Sequence, residues 1–256
     1  MKKISDGKKL FDLAKRTFEV GGVRGERMAV KLLKKSVSLG YLPAFESLAG
    51  FYRNGIGISR PDYAKSVMLL RQFVKQCQSC GAYMDLAWCY SHGYGVARSK
   101  VMAFKLYRLA ARLGEPNAMF NIGLFFERGE GCEKNARNAF LWFRKSARAG
   151  CVDALYKVAH AYDVGHGICR NREYAFAWYK KAARRGQVDA MFKVAYAYDV
   201  GRGICRNRTL AIGWYKKAAR NGNPDAKWNL SLLQGTTEKA RPTGQQEGQV
   251  CIASRG

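Results

Sequence analysis

The chain has 256 residues, 48% of them hydrophobic, which is too apolar for wholesale disorder and enough for a substantial core. No apolar run approaches about 18 residues, so the sequence offers no membrane-spanning helix. The opening MKKISDGKKLFDLAKRTF lacks the continuous apolar stretch of a signal peptide, which makes the cytoplasm the expected location. The net charge of +26 implies an acidic protein partner, a nucleic acid, another anionic surface, or strong solubility alone.

Taken in order, residues 1–7 read as an N-terminal tail. Residues 8–43 read as a degenerate repeat that keeps AVKLLKKSVSLG in its later half. A 38-residue copy follows at 44–81, longer near its end in KQCQSCG, then 36-residue copies at 82–117, 118–153, 154–189 and 190–225. The last two are the clearest, with 25 of 36 positions identical and no gap between them. A fixed period of this size with helical spacing inside it is the mark of a stacked repeat protein. Residues 226–233 read as a cap helix. The Gly-, Gln- and Thr-rich stretch 234–256 reads as a disordered C-terminal tail.

Each copy reads as two helices. In the copy at 154, Ala154, Leu155, Val158, Ala159 and Tyr162 fall on one face at 100° per residue. Gly165 and Gly167 supply the turn that ends this helix. The second helix places Ala175, Trp178, Tyr179, Ala182 and Ala183 on its apolar face, and Lys180, Lys181, Arg184 and Arg185 opposite; Gly186 stops it. The expected fold is all-α: an α-solenoid of six helix-turn-helix pairs plus a cap helix.

The pattern A-x3-hydrophobic-A/G-x2-Y-x2-G-x-G-V/I, then A-x2-W-Y-x-K-A-A-x2-G, resembles the Sel-one-like repeat, a relative of the tetratricopeptide repeats. The copies from 82 to 225 carry it closely. The copy at 44–81 keeps Ala44, Ala49, Tyr52, Gly55 and Gly57 but not the WYxKAA core. The chain departs from the family pattern after G-x-G-V/I, where Arg170-Asn171-Arg172 and Arg206-Asn207-Arg208 replace the usual acidic residue. The resemblance implies an α-solenoid that binds other proteins and rarely catalyses anything; a right-handed superhelix with no cofactor and no metal is expected of this chain. The paired cysteines of the family's disulfide-rich secreted branch are absent, as Ala183 and Ala219 show. The eight cysteines of a chain without an export signal read as reduced thiols.

Two surfaces are candidates for binding. On the first helices, the third and seventh residues of each copy point away from the buried face. By analogy with tetratricopeptide repeats they should line the concave side. They include Phe120, Tyr156, Phe192 and, in the cap, Trp228, with His160 and Tyr196 one turn on. Beside them runs a polar row of Ser91, Glu127, Asp163 and Asp199. This is the expected contact surface for a partner peptide or helix, unless the rings simply pack into neighbouring repeats. The alternative surface is a basic stripe of Lys180, Lys181, Arg184, Arg185, Lys216 and Lys217 on second helices, extended by Arg170, Arg172, Arg206 and Arg208 from the loops. It suits a nucleic acid or another polyanion. The aromatics that could stack bases are expected on the other face, away from these charges.

Nothing in the sequence points to a reaction. Cys77-x2-Cys80 with Cys89-x2-His92 has zinc-like spacing, but a helix of about 13 Å, at ~1.5 Å per residue, separates Cys80 from Cys89. A local redox pair at Cys77 and Cys80 is the milder alternative. His166-x2-Cys169 has Arg202 and Cys205 as its counterpart, so the histidine is not part of the pattern. Cys132, Cys169 and Cys205 are expected to be small core residues of their loops.

Overall fold

The computed structural model describes residues 2–235 and builds them from thirteen helices, with no strand among the described residues. The chain divides into two compact units, residues 1–169 and 170–256. Residues 236–256, nearly all of the expected tail, lie outside the described residues.

The first unit holds α1 (Lys2–Glu19), α2 (Gly22–Ser38), α3 (Leu42–Asn54), α4 (Tyr63–Val74), α5 (Cys80–His92), α6 (Lys100–Arg112), α7 (Pro116–Arg128), α8 (Ala136–Arg148) and α9 (Val152–Val164). Odd and even helices pair from α1/α2 to α7/α8, and each pair packs on the next, ending with α8 on α9. The second unit holds α10 (Arg172–Arg184), α11 (Val188–Val200), α12 (Arg208–Arg220) and α13 (Pro224–Gln234). Here α11 packs on both α10 and α12, and α12 on α13. The fold is therefore all-α, of the tandem helix-turn-helix solenoid kind. Residues 1–7 differ from expectation, because α1 begins at Lys2. Gly7 lies buried inside that helix, where a Cβ would run into Tyr41, and its carbonyl accepts a 2.6 Å hydrogen bond from Ser36 Oγ.

Local chemistry explains the regularity. The second helices α8, α10 and α12 start on a capping side chain: Asn135, Asn171 and Asn207 accept from the backbone N–H three residues on, each at 2.9 Å. First helices end on a left-handed glycine at 93, 129, 165 and 201. Small residues make the core: Ala154, Val158, Ala159, Ala190, Val194 and Ala195 are fully buried.

The second glycine of each loop has a different task. Gly95, Gly131 and Gly167 lie against the carbonyls of Tyr63, Lys100 and Ala136, the first residues of the preceding second helices. Gly203 lies against Arg172 in the same way. Each combines positive φ with a backbone approach that leaves no room for a Cβ, so two independent reasons demand glycine. This contact sets the register between consecutive helix pairs.

Candidate interaction faces

The first-helix aromatics Phe120, Tyr156 and Phe192 are half-buried rather than freely exposed. Phe120 packs on Phe143 of its own pair, with ring centroids 5.5 Å apart, and Phe192 packs on Tyr215 at 5.8 Å. Their inner edges thus belong to the core. Two first-helix rings also continue into a second ring one turn away: Tyr156 stacks with His160 at 6.4 Å, and Phe192 with Tyr196 at 6.5 Å. His160 is exposed; Tyr196 and Trp228 are half-buried. In the copy at 82, Trp88 is instead drawn into a ring cluster, with Tyr94 lying 4.8 Å from both Trp88 and Tyr63 and 5.7 Å from His92.

The polar row beside the rings is partly committed within the fold. Glu127 pairs with Lys157 at 2.8 Å, joining α7 to α9. Arg53 pairs with Asp85, joining α3 to α5. Ser91 is buried and accepts from Lys100 Nζ at 3.0 Å. Asp163 and Asp199 are half-buried. Asp199 lies by the hydroxyl of Tyr215, a fully buried phenol that accepts a 3.2 Å hydrogen bond from Asn229. Burial, then the charge of Asp199, pushes that phenol well above its usual pKa.

On the second helices Lys181, Arg184, Arg185, Lys216 and Lys217 are exposed, and Lys180 is half-buried. Arg170 and Arg206 are exposed in the loops and Arg172 at the start of α10, and Arg170 and Arg172 line a shallow depression with Asn171, Glu173 and Gly203. Arg208 is partly spent: its guanidinium donates to the Leu233 carbonyl at 2.6 Å, at the negative end of α13. The expectation that aromatics lie apart from these charges does not hold. Trp142, Trp178 and Trp214 are half-exposed on the same helices, each under a lysine ammonium, with Lys145, Lys181 and Lys217 at 5.0, 4.6 and 4.6 Å from the ring centroids. The helical wheel puts Trp178 with the core residues but at their margin, which is why this ladder goes unseen in the sequence.

Among the described residues the cysteines form no centre. Cys89 is fully buried, and desolvation pushes its thiol up to about 11, which leaves little thiolate. Cys77 and Cys80 are half-buried and free. Cys169 and Cys205 are exposed, against the expectation of core positions, while Cys132 is half-buried with its thiol pushed up by burial. Among the described residues no three His, Cys, Asp or Glu side chains gather closely enough to hold a metal ion. No helix among them is long and apolar enough to cross a membrane.

Helix pairs in tandem, locked at glycine loops, define a helical-repeat protein of the solenoid class. The chain belongs to the Sel1 repeat family, whose model matches residues 47–76, 81–115, 116–151, 152–187 and 188–223. Proteins of this family generally serve as non-catalytic scaffolds for protein interactions. Among solved structures, a protective antigen of uropathogenic Escherichia coli with the same repeat fold superposes with a TM-score of 0.82 at 27% identity, covering 92% of this chain and 51% of the antigen. The chain thus spans about half the length of that antigen. A Sel1 repeat protein from Oxalobacter formigenes superposes with a TM-score of 0.74 at 26% identity, covering 93% of this chain and 99% of that one. An immunity protein from Pseudomonas aeruginosa shares the fold, with a TM-score of 0.51, 20% identity and coverage of 93% and 90%. None of the curated proteins matches the chain in sequence.

Proposed function

We propose that this protein is a non-catalytic adaptor whose first-helix faces hold a peptide or helix of a partner protein. The observation that carries the reading is a stacked, partly exposed ring pair on each of two first helices, Tyr156 with His160 on α9 and Phe192 with Tyr196 on α11. Half-exposed rings already fixed by a neighbour lose little freedom when a partner covers them, which is why such residues carry binding energy. Trp228 holds the matching position on α13, and Phe120 on α7. Asp163 and Asp199, in the row beside the rings, would favour basic groups on the partner.

The test is capture from native lysate by the intact chain and by a His160→Ala/Tyr196→Ala/Trp228→Ala variant, at low and high salt, with nuclease. These positions are chosen because Phe120 and Phe192 also support the core. A defined protein retained at high salt and lost in the variant, with the melting curve unchanged, supports the reading. Equal capture by the variant overturns it. A nuclease-sensitive, salt-labile yield would transfer function to the basic loops and second helices.

A further inference from the structure

The second helices of residues 170–235 carry a feature that the first-helix reading does not use. On α10, Tyr174, Trp178 and Lys181 follow one another at spacings of four and three residues, and on α12 Leu210, Trp214 and Lys217 do the same. Such spacing aligns the three side chains in one stripe along a helix. Tyr174 is 59% exposed and Leu210 44%, unusually open for large apolar side chains, and both tryptophans are half-exposed. In each stripe the lysine ammonium sits 4.6 Å from the centroid of the indole. Between residues 170 and 235 there are fourteen Lys and Arg against four Asp and Glu.

We propose that this second-helix face docks an acidic peptide segment that also bears apolar side chains. Charge selects the occupant. A strongly cationic surface attracts carboxylates and repels a second copy of this chain, whose net charge is +26. The ring–lysine pairs then separate the classes of anion. Single-stranded nucleic acid gains affinity by stacking bases on open aromatic faces. Here a lysine lies over each indole, so a base would have to displace it and lose the cation–π contact. A carboxylate meets no such obstacle: it approaches the ammonium from outside and finds it already held in place. Tyr174, Leu210 and the open indole edges offer apolar area that a purely acidic polymer cannot cover, so the partner's leucine or phenylalanine side chains complete the contact. The site is independent of the first-helix rings, and the protein would bridge two partners of different chemistry.

The test uses the full chain and three dye-labelled probes of equal length in fluorescence anisotropy: a synthetic peptide of glutamate, leucine and phenylalanine, polyglutamate, and oligothymidylate. The mixed peptide should bind roughly tenfold more tightly than the other two. Lys181→Met/Lys217→Met and Trp178→Leu/Trp214→Leu should each weaken it by about tenfold, while His160→Ala/Tyr196→Ala leaves it unchanged. Circular dichroism melting accompanies every variant. Should the tryptophan pair fail to fold, the lysine pair, which removes exposed charge and its cation–π contact but no buried side chain, decides alone. No binding of the mixed peptide, undiminished binding by a folded lysine variant, or equal or tighter binding of polyglutamate or oligothymidylate would each overturn the proposal.

Discussion

Ser66 is a buried hydroxyl for which no hydrogen-bond partner is found among the described residues. Its counterparts in the following second helices are Ala103, Ala139, Ala175 and Ala211, all buried. Removing an unsatisfied buried hydroxyl recovers its desolvation cost, so Ser66→Ala should stabilise the protein by about 1 kcal/mol, seen as a raised urea midpoint at unchanged slope. Ser146 is the instructive contrast, since its hydroxyl donates to the Pro116 carbonyl at 2.7 Å. Glycines divide in the same way. Gly150 has a φ of 103° but open space around it, whereas Gly131 has a φ of 68° and lies against the Lys100 carbonyl. Gly150→Ala should therefore cost about 1 kcal/mol of backbone strain and Gly131→Ala distinctly more, because the preceding helix must also move. Comparable losses in chemical denaturation would show that the close approach carries no weight.

At the scale of elements, pairs of side chains reinforce the glycine contacts, and one of them titrates. Glu130, in the loop after α7, meets Lys100 of α6 at 2.7 Å. The hydrogen bond from Lys100 holds its carboxyl below the ordinary glutamate value of 4.5. A depressed folded-state value means that the pair contributes stability above about pH 4.5 and loses it as pH falls further. The stability gap between the native protein and Glu130→Gln should be constant from neutrality down to that point and then close; a gap independent of pH from 3 to 6 would refute the assignment. Both the period and the helix pairs were legible in the sequence, because Ala154/Ala190, Val158/Val194 and the capping Asn171/Asn207 recur in register. Trp178 was harder to place. It lies about 60° from Ala175 on the wheel, at the margin of the buried face, and a margin residue can pack or stand open according to its neighbour. The α1 helix was hidden differently, by five lysines and a glycine among its first fifteen residues, when what fixes it is the long-range fit of Gly7 against Tyr41 and Ser36. The exposure of Cys169 and Cys205 likewise depends on loop conformation, which spacing does not encode. For the candidate faces, the sequence carried the identity of the rings; how deeply Phe120 and Phe192 sink against Phe143 and Tyr215 is a matter of packing.

On the largest scale, the main packing contacts within each unit join a helix to its sequence neighbours, and the ion pairs reach no further than the next helix pair, so stability is a sum of local terms. The junctions recur with a spacing of 36 residues from Gly95 through Gly131 and Gly167 to Gly203. Length is thus an adjustable quantity. Excising residues 154–189 joins Asp153 to Ala190 and presents the carbonyl of Ala136 to Gly203 where it now meets Gly167. Such a shortened chain should fold with a helical content per residue close to the original in circular dichroism, whereas a cut of 34 residues at the same place turns the next helix by about 200° and should not. Genes encoding such chains can gain or lose reach in whole-repeat steps, each step adding or removing one set of binding rings without redesigning a core.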